Sequence, residues 1–199
     1  MMVTVKNTYY AMVVNLLYSL SIVTSIMLRF NNMPLSKWQA VLNEIVYLIP
    51  LIYLIMVLKH LKVDSSIITT YKIFIGADIV ISLYFVVVKF TPNNLSIYYL
   101  LFLLSIVVAI IFTIQSARIQ NKWLTYPLLT YGLMFLFVTL LQLVASVIYS
   151  SSMYRYVSLT EISIPALTFY ILFKIVRYLD EQRKSDSQIA QFGDNPGNI

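Results

Sequence analysis

The chain has 199 residues, of which 60% are hydrophobic and only 11% are charged, whereas about a quarter of the residues of an ordinary soluble domain are charged. Its mean hydropathy is +0.82, and a core of this size cannot bury so much apolar surface, which excludes a water-soluble globular protein. The net charge of +6 does not indicate nucleic acid binding, because the basic residues lie at the ends of apolar segments rather than in one patch, so the expected partner is the lipid bilayer.

The first predicted membrane span covers about residues 9–29. Between Lys6 and Arg29 lie 22 uncharged residues, enough to cross a hydrocarbon layer of ~30 Å at 1.5 Å per residue. The segment is longer than the ~7–15 apolar residues of a secretory signal, and no small-x-small cleavage site follows it. We therefore predict a helix here.

The second predicted span, about 40–59, follows a capping signal. Ser36 and Gln39 have the spacing of an N-terminal capping box. Pro50 lies inside the span, and we expect it to kink the helix.

The third predicted span, about 67–90, contains Asp78 close to its midpoint. Lys72 and Lys89 lie near its two ends, where long cationic side chains can reach the membrane surfaces. This aspartate is the most unusual feature of the sequence, because it interrupts a segment that is otherwise suited to lipid.

The fourth predicted span, about 96–115, lies within the 28 uncharged residues between Lys89 and Arg118. Pro92 is expected to end the preceding helix, and Asn94 or Ser96 is expected to cap this one.

The fifth predicted span covers about 125–149. Thr125 is expected to cap it, and Pro127 is expected to lie in its first turn, where proline is tolerated.

The sixth predicted span covers about 158–179. Ser158 and Glu161 have capping-box spacing, and Lys174 and Arg177 suit its last turns, where cations complement the helix dipole. We predict one transmembrane domain, residues 1–180, followed at 181–199 by a polar cytoplasmic tail that begins as a helical extension and is largely disordered.

The predicted topology is all-α, with six transmembrane helices and both termini in the cytoplasm. Of the 14 Lys and Arg residues, ten fall on the side of the termini and four fall opposite. Positive residues accumulate on the cytoplasmic side, so the ten mark that side of the cell membrane. The four on the other side are Arg29, Lys37, Lys89 and Arg155.

Asp78 is the leading candidate for a functional group. An ionised carboxylate at the centre of a membrane helix costs about 2.5–3.5 kcal/mol, so we expect it to face the bundle interior. Asn15, Gln142 and Tyr84 are polar groups on the first, fifth and third spans, and together with Asp78 they form a candidate proton, ion or polar site. Two bland interpretations remain open: a protonated Asp78 bonded to a neighbouring helix, for example through Asn15, Tyr18 or Gln142, and polar groups that only join helices.

Two further acidic residues, Glu44 and Glu161, fall in the first turns of predicted spans, where a carboxylate complements the helix N-terminus. The alternative is an acidic mouth that recruits cations, although nearby basic residues would offset it.

The residue inventory argues against an enzyme. There is no cysteine and one histidine, His60, which disfavours haem, thiolate and multi-histidine metal sites, and none of the common hydrolase, metalloprotease or nucleotide-binding motifs occurs. We therefore expect no cofactor and no metal. The first functional hypothesis is small-solute or ion transport, alone or as the membrane subunit of such a system. The second is a non-catalytic sensor, anchor or assembly factor with membrane-protein partners or a second copy of the chain.

Overall fold

The computed structural model of the chain describes residues 3–33, 36–87, 95–147 and 151–193, and within these ranges every regular element is helical. Six of the helices are long and apolar enough to cross a membrane, as the sequence predicts. The α-helices of the described ranges are α1 (Val5–Phe30), α2 (Lys37–His60), α3 (Ser65–Val87), α4 (Leu95–Ser116), α5 (Lys122–Val147), α6 (Ser151–Ser158) and α7 (Ser163–Gly193).

The start of α2 follows the predicted capping signal. The Ser36 hydroxyl accepts a hydrogen bond from the Gln39 backbone N–H at 3.1 Å, which satisfies one of the free donors of the first turn. Helix α2 continues through Pro50. Thr4 caps α1 in the same way, with its hydroxyl accepting from the Asn7 backbone N–H at 3.2 Å.

The prediction that Thr125 caps α5 is wrong. Asn121 takes that role, because its side-chain oxygen accepts from the Trp123 backbone N–H at 3.0 Å and the helix begins at Lys122. The Thr125 hydroxyl instead donates to the Ile119 carbonyl at 2.6 Å. With the earlier start, Pro127 lies in the second turn rather than the first.

The predicted capping box at the start of the sixth span is also wrong. The Ser158 hydroxyl donates to the Arg155 carbonyl at 2.6 Å instead of accepting from Glu161. Residues Leu159–Ile162 form a turn of 3₁₀ helix, and α7 begins after it, at Ser163. The sixth span therefore starts later than predicted and is preceded by the short helix α6.

Several predicted boundaries lie outside the described residues, among them the turn with Pro92 and Asn94. At the other end of the chain, α7 runs to Gly193, so the predicted helical extension beyond Asp180 is present within the described part. The remaining tail, 194–199, lies outside it.

The six long helices close into a ring. Each packs against the next in the order α1, α2, α3, α4, α5, α7, and α7 packs back against α1. Consecutive helices run in opposite directions, so the ring has two ends. We call the end with Val5, the 61–64 turn and the 117–121 turn the terminus end, and the end with α6 the opposite end.

The outside of the ring is apolar. Large hydrophobic side chains remain more than half exposed on it, for example Leu17 at 58% and Leu103 at 57%. In water such a surface would drive aggregation, whereas in a bilayer it is the surface that contacts lipid.

An aromatic layer fills part of the ring interior. The Phe74 ring lies 4.6 Å from Phe112 and 4.8 Å from Phe135, centroid to centroid, and its edge faces Tyr131 at 6.2 Å. Tyr71 adds a further contact, 5.4 Å from Phe112. We use the name aromatic layer for these five residues, which come from α3, α4 and α5.

Helices α4 and α5 approach each other closely at Gly132. A Cβ atom there would come within 2.5 Å of the Thr113 hydroxyl and 3.1 Å of the Phe112 ring. The absence of a side chain therefore permits this contact. Gly76 on α3 differs, because a Cβ atom there would meet nothing within 4 Å.

Candidate functional site

Two carboxylates meet two hydroxyls where α2 packs against α3. Asp78 on α3 lies against the Tyr47 hydroxyl on α2, close enough to interact by hydrogen bonding. Glu44 on α2 lies in the same relation to Ser82 on α3. The two carboxylates are also near enough to each other to interact electrostatically. We call these four residues the acidic seam.

The antiparallel packing of α2 and α3 explains this arrangement. At 1.5 Å per residue, Tyr47 and Asp78 each lie about 20 Å from the terminus end of their helices, and Glu44 and Ser82 each lie about 25 Å from it. The spacings of three residues on α2 and four on α3 both return to the same helix face. Each helix thus presents a carboxylate to a hydroxyl of the other, one turn apart.

Glu44 therefore has a different role from the predicted one. Because α2 begins at Lys37, Glu44 lies beyond the first turn of the helix. Its neighbour is Ser82 across the seam rather than the N-terminus of its own helix.

Tyrosines link the acidic seam to the rest of the ring. The Tyr18 ring of α1 stacks on Tyr47 with centroids 4.8 Å apart. The Tyr47 and Tyr131 hydroxyls are hydrogen-bonded at 2.7 Å, and either oxygen can be the donor. Because α2 and α5 lie on opposite sides of the ring, this bond crosses its interior.

The sequence-predicted site residues make different contacts from those expected. The Asn15 side-chain amide donates to the Pro165 carbonyl at 2.8 Å and so joins α1 to α7. The Gln142 amide donates to Glu161 at 3.0 Å. Tyr84 lies on α3 with a buried hydroxyl. Of these, Asp78 is the residue that the structure places in the acidic seam.

Glu161 belongs to a second polar cluster, at the opposite end of the ring. One Arg29 nitrogen contacts both of its carboxylate oxygens, at 2.9 and 3.0 Å, and Gln142 donates to the first of them. We call Arg29, Gln142 and Glu161 the end clasp, because it joins α1, α5 and the 3₁₀ turn. Glu161 thus has a charged partner, and its first-turn role is not that of a helix cap.

A neutral polar group joins α1 to α2. The Asn43 amide donates to the Ser25 hydroxyl at 3.2 Å, and the Ser21 hydroxyl donates to the Asn43 carbonyl oxygen. Sequence analysis did not single these residues out. The signal was available, since two serines four residues apart on an apolar helix lie on one face and require polar partners.

Tyr47 and Tyr131 were also missed. Both are mid-span residues with their side chains almost wholly buried, and a buried tyrosine hydroxyl normally finds a hydrogen-bond partner. The chain has 16 tyrosines, so the pattern alone could not indicate which of them face the interior.

The acidic seam has the chemistry to hold a proton or a small cation. Two carboxylates a turn apart in a membrane repel each other and are poorly solvated, so their stable state includes at least one counter-charge or shared proton. Within the described residues, no group of three or more His, Asp or Glu side chains is arranged to hold a metal ion.

The fold and the seam together define a class of protein. The chain is a multi-pass membrane protein whose six long apolar helices enclose buried acidic residues. No family model, curated protein or solved structure matches it, so its function is argued from its own geometry.

Proposed function

We propose that the protein moves a small ion or solute across the membrane, alone or as the membrane subunit of a larger system, and that Asp78 binds or titrates during transport. The observation that carries this proposal is the acidic seam. Glu44 and Asp78 face hydroxyl groups inside the ring, without a nearby cation among the described contacts. Such an arrangement is costly in lipid and is usually retained where an ion or proton is handled.

The proposed location is the cell membrane, with both termini in the cytoplasm. Ten of the 14 basic residues lie on the side of the termini, which supports this orientation. Because the chain has no cysteine, single cysteines can test it without background. In intact cells a membrane-impermeant maleimide should label Met33→Cys and leave Ser185→Cys unlabelled until the cells are opened. Labelling of Ser185→Cys in intact cells would contradict the orientation.

The transport proposal is tested by flux in liposomes. Purified protein should carry protons, sodium or potassium down an imposed gradient, and Asp78→Asn, which preserves shape but cannot ionise, should reduce that flux by about tenfold or more. The matched control is Asp64→Asn, in the exposed turn between α2 and α3. Equal flux in the parent and Asp78→Asn would remove Asp78 from the mechanism.

A second candidate function has support from α7. This helix is 31 residues long, and residues 181–185, beyond its apolar part, are exposed and mostly charged or polar. A helix that projects from the membrane suits a sensor, anchor or assembly factor that binds a partner. Deleting residues 182–199 should then abolish recovery of cross-linked partners while membrane insertion is kept. Unchanged partners after the deletion would argue against this function.

A further inference from the structure

The aromatic layer limits what can pass through the ring in this conformation. Phe74 packs against Phe112, Phe135 and Tyr131, and the hydrogen bond between Tyr47 and Tyr131 crosses the interior above them. A solute or hydrated ion could not pass without separating these rings. A proton can pass without such a rearrangement, because it moves by transfer between hydrogen-bonded oxygens.

Hydroxyl groups descend through the ring from the acidic seam. Asp78 and Tyr47 lie about 20 Å from the terminus end, Tyr131 about 14 Å and Tyr71 about 9 Å, at 1.5 Å per residue. Tyr47 and Tyr131 are hydrogen-bonded, and Tyr131 is near enough to Tyr71 for the two hydroxyls to interact electrostatically. The four groups thus form a series in order of depth.

The lower end of this series carries unsatisfied polar atoms. Tyr71 is fully buried, and among the residues that the structure describes its hydroxyl has no hydrogen-bond partner. The same holds for the Gln115 side-chain oxygen, one residue from the terminus end of α4. Buried polar groups without a protein partner are normally hydrogen-bonded to water. Both atoms lie on the side from which water would enter.

A possible branch at Tyr131 leads nowhere. Thr168 on α7 is within hydrogen-bonding reach of the Tyr131 hydroxyl. The Thr168 hydroxyl already donates its hydrogen to the Ile164 carbonyl at 3.0 Å, so it can accept from Tyr131 but cannot pass a proton onward.

We propose that Asp78, Tyr47, Tyr131 and Tyr71 form a proton relay between the acidic seam and the terminus end of the ring. This inference rests on the proposed transport function and identifies the proton as its cargo. Glu44 from α2 and Tyr18 from α1 are the other titratable groups that face Asp78, and Glu44 is the group that shares the proton at the upper end.

The transfer is a balanced sequence of proton exchanges. Neutral Asp78 donates its proton to the Tyr47 oxygen as Tyr47 donates its own to Tyr131. Tyr131 in turn donates to Tyr71, and Tyr71 releases a proton to water from the terminus end. Each O–H bond that breaks is replaced by one that forms, and no electrons are exchanged. Concerted transfer avoids a charged tyrosine in a medium that disfavours charge.

Tyr131→Phe tests the relay at its centre. The substitution removes one hydroxyl and keeps the ring that packs against Phe74 and Phe112. Proton flux into liposomes, driven by a potassium diffusion potential and followed with an enclosed pH dye, should fall by about tenfold or more. Tyr47→Phe should have the same effect.

The matched control is Tyr53→Phe. Tyr53 is also buried, and its hydroxyl is bonded to the Thr8 hydroxyl at 2.6 Å, away from the relay. Its proton flux should stay within about twofold of the parent, well inside the tenfold effect expected for a relay group. Thermal unfolding in detergent should show that both variants are folded.

The outcomes separate the relay from the transport function. If Asp78→Asn abolishes flux while Tyr131→Phe and Tyr47→Phe retain it, the relay is wrong and the transport function stands. Sodium or potassium flux without proton flux in the parent has the same meaning. If the parent moves none of these ions, both proposals fail.

Discussion

The acidic seam and the end clasp both contain carboxylates inside the helix ring, but their surroundings differ. Glu161 in the clasp meets a guanidinium and an amide, with Arg29 at 2.9 Å. Asp78 and Glu44 in the seam meet hydroxyls and each other. A carboxylate with a cationic partner is explained by structure, whereas two carboxylates that share a site require a mobile counter-charge. The comparison therefore separates a structural acid from functional ones.

The largest effect on stability is expected in the clasp. Arg29→Met leaves Glu161 charged with only the Gln142 amide nearby, which should lower the free energy of unfolding by about 2 kcal/mol. This is less than the ~3–5 kcal/mol of a fully buried pair, because the Arg29 side chain is 30% exposed. The measurement is an unfolding titration in mixed micelles.

A double variant checks the origin of that effect. Arg29→Met combined with Glu161→Gln removes both charges, and it should recover part of the lost stability. If the double variant is less stable than Arg29→Met by the full cost of Glu161→Gln alone, the two residues are independent and the clasp is wrongly described.

The contact between α4 and α5 provides an uncharged comparison for both sites. Gly132→Ala forces Thr113 and Phe112 apart and should destabilise the protein by roughly 1–2 kcal/mol. Gly76→Ala meets open space on α3 and should be neutral or stabilising by up to about 1 kcal/mol, because alanine is the better helix former. Equal effects of the two substitutions would show that the close approach at Gly132 is not formed.

In the seam, stability and function should separate. Asp78→Asn removes a charge that has no cationic partner, so it should change the free energy of unfolding by less than about 1 kcal/mol, or raise it. The same titration used for Arg29→Met measures this. A loss as large as that of Arg29→Met would place Asp78 with the structural acids.

The smallest effect concerns an acid outside the membrane. The backbone N–H of Ser66 donates to Asp64 at 2.8 Å, and this bond, with the Ser66 side chain, holds the pKa of the Asp64 carboxyl below its ordinary value of 3.8. A lowered pKa gives stability that is present above the ordinary value and is lost as the pH falls through the folded value. Comparing parent and Asp64→Asn in acid unfolding should show a slight loss confined to pH below about 4.

The sequence predicted the six helices well because long uncharged segments have one stable form in lipid. Their ends were harder, as at Ser158 and Thr125, because a capping residue can also bond to its own preceding turn. Asp78 stood out because a charge is rare in such a segment. Tyr47 and Glu44 did not, because their meaning comes from the register of α2 against α3, which a single sequence does not contain.

The state of the seam carboxylates tests the central claim most directly. Infrared spectroscopy of the purified protein resolves the carbonyl band of a protonated carboxylic acid from ionised carboxylates. The account predicts this band in the parent and in Glu161→Gln, and its loss in the double variant Asp78→Asn with Glu44→Gln. A band that survives in the double variant, or that disappears in Glu161→Gln, would contradict it.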